Sequence, residues 1–285
     1  MNRLVMPLMA ALAAVLPAHE NHVTMRLEGD FRIIESNGIP DHETGEFPNA
    51  HNPNSIQEQQ FHFRMPANPG FSGEITQCQF QPWGVAVNGV VFDPGTAEFW
   101  NHDRDSGWRY EAIGGKMNLG LDQANAHVQP NGAYHYHGLP KPLLKGKQGM
   151  VLLGYAADGF PVYNDVAPKD PKDLKSPLIK LAPGYRLKQG QRPNGPKGAY
   201  DGQFTQDFEY VDTLGDLDEC NGRQGVTPDY PQGTYYYVIT DSFPYIPRCW
   251  KGTPDESFQR KEPRKAPAGA LAPPRRRPVR PDEPF

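Results

Sequence analysis

The chain has little cysteine, three residues in 285, and none stands in a setting that suits a catalytic nucleophile. It has no Gly-x-Ser-x-Gly elbow, no phosphate-binding loop and no dinucleotide fingerprint, which removes several common enzyme classes. A net excess of positive charge is missing from most of its length. From Arg260 to Phe285 eight Lys or Arg stand against three Asp or Glu, so this tail carries +5 and residues 1–259 carry −9 of a net −4. An acidic body repels phosphate backbones, so no nucleic-acid partner is expected. After the first residues no run is long and apolar enough to span a bilayer, so no transmembrane segment is expected in the mature chain.

Residues 1–18 pair Arg3 with an apolar run from Leu4 to Leu16 and small residues near Ala18. This is the layout of a secretory signal peptide, and it implies a secreted or periplasmic protein. An oxidising compartment favours disulfides. Cys220 and Cys249 flank one compact segment and are the expected pair, with Cys78 left as a buried thiol, although spacing alone leaves other pairings open. At the far end, residues 254–285 are rich in Pro, Arg and Ala with few bulky apolar side chains, and are expected to be disordered.

Glycine and proline are plentiful, 29 and 31 residues, which suits turns and irregular connections rather than helices. WGVAVNGVVFDP, GMVLLGYA and GTYYYVIT read as strands bounded by turn residues, while Asp165 to Tyr200 reads as a long surface connection. QPNGAYHYH (129–137) aligns with YPQGTYYYV (230–238), and DGFPVY (158–163) with DSFPYI (241–246). The expected fold is therefore mainly β: a single domain over residues 37–253, built of two related β-hairpin units with long loops and few short helices, preceded by an N-terminal segment over 19–36.

Tyr134, His135, Tyr136 and His137 carry the chemistry. On a strand the tyrosines face one side and the histidines the other, with the two histidine Cα atoms about 7 Å apart. Pro130, Asn131 and Gly132 fit the two right-handed positions and one left-handed position of a three-residue hairpin loop. That loop sets His127 opposite His135 on the same face, whereas a two-residue Asn-Gly turn would set His127 opposite Tyr136 and break the site. Three imidazoles suit zinc or copper, with a coordination position left for water or substrate. The second copy offers Pro228, Tyr236 and Val238 at these places, so one site is expected. His102, beside Asp103 and Asp105, is the first choice for a further ligand or nearby polar group. His42 and His51 read as loop histidines, and Asp216, Asp218 and Glu219 as a turn rather than a calcium site.

AHVQPNGAYHYHGLP, GYAADGFPVY, GDLDECNGR and TPDYPQGTYYYVITDSFPYIPRCW together resemble the YHYH-domain family of bacterial and eukaryotic proteins, from about Asn37 to Trp250. The resemblance implies an exported, mostly β domain and assigns no reaction. Two functions compete. One is a metal-binding protein for metal handling or metal-dependent chemistry, in which metal-activated water is the nucleophile and Asp158 or Asp103 the general base. The other is a noncatalytic extracellular interaction module that binds a glycan or protein partner through surface aromatics, among them Trp83, Trp100, Trp108 and Trp250.

Overall fold

Short β-forming runs separated by turns leave little scope for helix, and the computed structural model, which describes residues 20–260, is built accordingly. Its strands in chain order are β1 (Val23–Glu28), β2 (Phe31–Ser36), β3 (Phe61–Pro66), β4 (Thr76–Gln77), β5 (Gly84–Ala86), β6 (Val91–Phe92), β7 (Ala126–Val128), β8 (Tyr134–Tyr136), β9 (Leu152–Ala156) and β10 (Pro161–Asn164). They continue with β11 (Val166–Pro168), β12 (Leu178–Lys180), β13 (Tyr185–Leu187), β14 (Phe208–Tyr210), β15 (Gly222–Gly225), β16 (Thr234–Ile239) and β17 (Cys249–Trp250). Among the described residues the helices are 3-10 turns of at most four residues, and none is long and apolar enough to cross a membrane.

An eight-stranded sheet in the order β15-β16-β10-β9-β5-β6-β8-β7 forms the body. Each half has one plan: a tight hairpin (β5–β6, β9–β10), then a second hairpin (β7–β8, β15–β16) whose last strand lies parallel to the second strand of the first. The halves meet antiparallel at β5 and β9, where Val87 N–H donates to Leu153 O at 2.9 Å and Ala157 N–H to Trp83 O at 3.0 Å, a reciprocal pair. A Cβ on Gly84 would lie 2.6 Å from Tyr155 O, and one on Gly154 would collide with Val85 O. Side-chain-free positions let the two backbones approach there.

The tight hairpins turn through Asn88-Gly89 and Asp158-Gly159, with φ of 80° and 92° at the glycines. NGVVFD is thus the structural counterpart of DGFPVY. The expected pairing of DGFPVY with DSFPYI is corrected: residues 241–246 form a turn after β16, not a strand. The core lies against this sheet and is strongly aromatic. Trp83 and Trp250 are fully buried, and their indole N–H groups donate to Cys249 O (3.1 Å) and Trp83 O (2.9 Å), so neither donor is left unpaired. Cys220 and Cys249 form the expected disulfide, with Cα atoms 5.2 Å apart. Cys78 is partly buried, and desolvation pushes its thiol up to about 12.

Three boundaries differ from expectation. Within the segment expected over 19–36, residues 20–36 do not form a separate lead-in: β1, β2 and β3 make a second sheet, and Ile34 joins the main core. The stretch after Asp165 contains two ladders, β11–β12 and β13–β14. Residues 254–260 are not disordered. Phe258 is buried and stacks on Phe63 at 4.5 Å, and Asp255 pairs with Arg64 at 3.0 Å, because one large aromatic supplies enough buried area to order the short segment. Residues 1–18, expected to be a signal peptide, and the tail after Arg260 lie outside the described residues.

Candidate metal centre

Gln129 to Ala133 forms the three-residue loop: Gln129 N–H donates to Ala133 O at 2.9 Å, Gly132 N–H to Gln129 O at 2.8 Å, and Gly132 has φ +86°. His127 therefore pairs with His135 across β7–β8, the register that keeps three histidines on one face. Ring centroids of His127, His135 and His137 lie 4.6–4.8 Å apart, and their candidate ligand nitrogens all fall within 4.8 Å of one another. Bonds of 2.0–2.1 Å at tetrahedral angles need nitrogens about 3.4 Å apart, so shifts of an ångström or less would bring the set onto one ion.

Hydrogen bonds select the tautomers. His127 Nδ1–H donates to Leu119 O at 2.8 Å and His135 Nδ1–H to Ala133 O at 3.2 Å, which leaves each Nε2 as a bare lone pair. Nε2 of His137 lies 3.0 Å from Nε2 of His127, a separation that needs a proton or a cation between the two nitrogens. Nδ1 of His137 is buried with no partner. Burial holds all three imidazoles below their ordinary pKa of 6.5, well below it for His135 and His137, where the neighbouring imidazoles add to the effect. The three rings are thus neutral at pH 7, the form that ligates metal.

The opposite face of β8 fixes the strand. Tyr134 O–H donates to Asp122 at 2.6 Å; Tyr136 O–H donates to His42 Nε2 at 2.7 Å and accepts from Asn88 Nδ2 at 2.9 Å. Both tyrosines are fully buried. The alternation of tyrosine and histidine therefore serves two surfaces at once, a hydrogen-bonded core behind and an imidazole cluster in front.

The same framework recurs in the second half without the histidines. LDQANAHV (121–128) matches LDECNGRQ (217–224), a repeat not evident from the motif alignment. Asp122 and Asp218 cap equivalent turns, Asn125 and Asn221 share φ values of 56° and 55°, and Tyr235 O–H donates to Asp218 as Tyr134 does to Asp122. The residue opposite Tyr236 is Arg223, which corrects the alignment to Pro228, since the turn from Val226 to Gly233 is longer than its counterpart. Arg223, Tyr236 and Val238 stand where the histidines would be, and Arg223 Nε donates to Tyr236 Oη at 2.6 Å. Asp218, already accepting two backbone N–H groups and a tyrosine hydroxyl, belongs to a closed turn.

A cleft of about 650 Å³ opens over the three histidines. His51 lines it. His102 does not join the cluster: it is exposed, on the turn Trp100–His102, with φ +57°. Asp103 is an exposed turn cap bonded to Asp105 N–H, and Asp158 is buried against Tyr237 Oη (2.6 Å) and Gly252 N–H (2.9 Å), so neither lines the cleft. The acids that do are Glu98 and Asp93, the latter just after β6, bound by Gln129 Nε2 at 3.0 Å and by Arg260, its carboxyl pushed up by burial. The place of Asp93 follows from the parallel pairing of β6 with β8, which sequence spacing does not reveal. Trp83, Trp108 and Trp250 are buried and Trp100 half-buried, so the tryptophans do not make a surface platform.

A family model described as YHYH protein matches residues 62–252. No curated protein and no solved structure matches the chain.

Proposed function

We propose that this chain, which belongs to the YHYH protein family, is an exported protein that binds one transition-metal ion, zinc or copper, through His127, His135 and His137. The observation that carries this reading is the meeting of His127 and His137 through their Nε2 atoms at 3.0 Å, with His135 beside them. In the metal-free protein a neutral His137 donates its Nε2–H to the lone pair of His127 Nε2, and a cation that takes the place of that proton is held by the same two nitrogens. Three neutral ligands leave a position facing the cleft for water or another ligand, and Asp93 is the group placed to hold or pass a proton there. The Cys220–Cys249 disulfide accords with an oxidising compartment.

The test is elemental analysis of protein purified without a histidine tag. About one zinc or copper per chain is expected after loading, falling to near zero in the His135→Ala, His137→Ala double variant. Metal retained undiminished in the variant would overturn the ligand assignment.

A further inference from the structure

We infer that the open position of the histidine cleft is occupied by a small oxyanion, carboxylate or phosphate, gripped on its far side by the guanidinium groups of Arg104 and Arg109. The inference rests on the metal reading above and supplies its missing ligand class.

Charge is the first ground. Three neutral imidazoles cancel none of a metal ion's charge, unlike sites that use carboxylates as ligands. Of the cleft's other charged residues, Arg260 and Asp93 pair with each other, which leaves Arg104 and Arg109 against Glu98 alone. Among the described residues no carboxylate lies within ion-pair distance of either guanidinium. A divalent ion added to this cleft leaves a strong positive excess inside partly desolvated walls, where a counter-charge is worth far more than in water.

Construction is the second ground. Arg109 is not a loose surface side chain. Its Nε donates to Thr96 O at 2.6 Å and its Nη1 to Gln79 O at 2.9 Å, and its guanidinium carbon lies 4.9 Å from the Phe80 ring centre and 5.7 Å from that of Phe99. Gly95 lies directly beside it, and any side chain there would collide with the guanidinium. Both backbone acceptors are neutral, so they orient the fork without discharging it, and Nη2 keeps its donors for a ligand. Arg104 lies over the same Phe80 ring at 5.4 Å. Two cations that share one half-exposed aromatic and lack acidic partners make a receptor for bidentate oxygens.

Cobalt(II) serves as both metal and reporter. The full chain is loaded with cobalt, its content measured, and its visible spectrum followed while inorganic phosphate or acetate replaces chloride at constant ionic strength. A saturable spectral shift is expected with at least one of the two, weakened about tenfold or more in Arg109→Gln and less in Arg104→Gln, with cobalt content unchanged. A phosphate-selective or an acetate-selective response both support the inference and assign the anion. A loaded protein whose spectrum ignores both anions, or whose anion affinity is left unchanged by both substitutions, overturns it and leaves the metal site standing. Failure to load cobalt, zinc or copper overturns the metal reading and this inference together. Arg104 is exposed and makes no hydrogen bond among the described residues, so Arg104→Gln tests the point even if Arg109→Gln does not fold.

Discussion

His137 is the least satisfied of the three imidazoles. It is 2% exposed, yet its Nδ1 has no partner. A buried polar atom without a partner costs about 1–3 kcal/mol, whereas an apolar group of similar size at the same place avoids that cost. His137→Leu removes that orphan but leaves His127 Nε2 without its partner at 3.0 Å, so the two costs offset and the metal-free protein is expected to change stability by less than about 1 kcal/mol while metal uptake is abolished, read from urea midpoints and metal content. A loss of about 2 kcal/mol or more would show that the His127–His137 contact outweighs the orphaned nitrogen in the metal-free cluster. At this scale the sequence was informative where local geometry rules. Alternation sent the tyrosines inward, and Pro-Asn-Gly chose the register that brings His127 to His135. It was uninformative for Asp93 and Arg109, whose neighbours come from strands and loops far along the chain.

At the scale of elements, the two hairpin loops form a matched pair with different tolerances. Gly132 and Gly233 have φ of +86° and +90°, so an alanine at either meets backbone strain of about 1–2 kcal/mol. A Cβ on Gly132 would also lie 2.5 Å from Gln57 Cβ, whereas on Gly233 the nearest atom is 3.7 Å away. Gly132→Ala is therefore expected to cost more stability than Gly233→Ala and to weaken metal binding, while Gly233→Ala leaves metal binding intact. Calorimetric titration of both variants with zinc checks this, and equal affinities would argue that the register is not set by the loop. The duplication was half legible. The turn and tyrosine strand repeat openly, but the partner of the tight hairpin was misplaced because Phe-Pro recurs by coincidence in the turn at Phe243 and Pro244. The unequal turns before β8 and β16 concealed the equivalence of His127 with Arg223.

For the whole molecule, the depressed imidazole pKa values set the sign of the acid response. Below pH 6.5 the unfolded chain binds protons that the folded metal-free protein refuses, so stability is complete above 6.5 and is lost as pH falls, at up to about 1.4 kcal/mol per pH unit for each histidine. Asp158 opposes this. Burial raises it from 3.8 to about 6, so its contribution is fully present below 3.8 and is lost as pH rises to about 6. Asp93 shifts in the same direction as Asp158. The metal-free protein should weaken progressively more steeply as pH falls through 6.5, because three histidines outweigh Asp158, as urea midpoints taken from neutral to mildly acidic pH would show; a midpoint that rises on acidification from 6.5 to 6 would contradict the assignment. The disulfide acts on the second half alone, since Ala124 stands in the place of Cys220 in the first. Its two cysteines are 29 residues apart, and the chain-entropy relation gives about 3–4 kcal/mol lost on reduction, measurable by unfolding with and without a thiol.

Arg260 ends the described chain with its guanidinium on Asp93, at the lip of the histidine cleft. Any polypeptide that continues from it departs from that lip. A fusion partner or affinity handle joined directly after Arg260 would be tethered beside the opening, and one made of histidines would compete for the very ion being assayed. Trimming the protein before Arg260 would deprive Asp93 of its ion-pair partner, leaving the weaker influence of Arg109 and Arg248, and the carboxyl would hold its proton more tightly still.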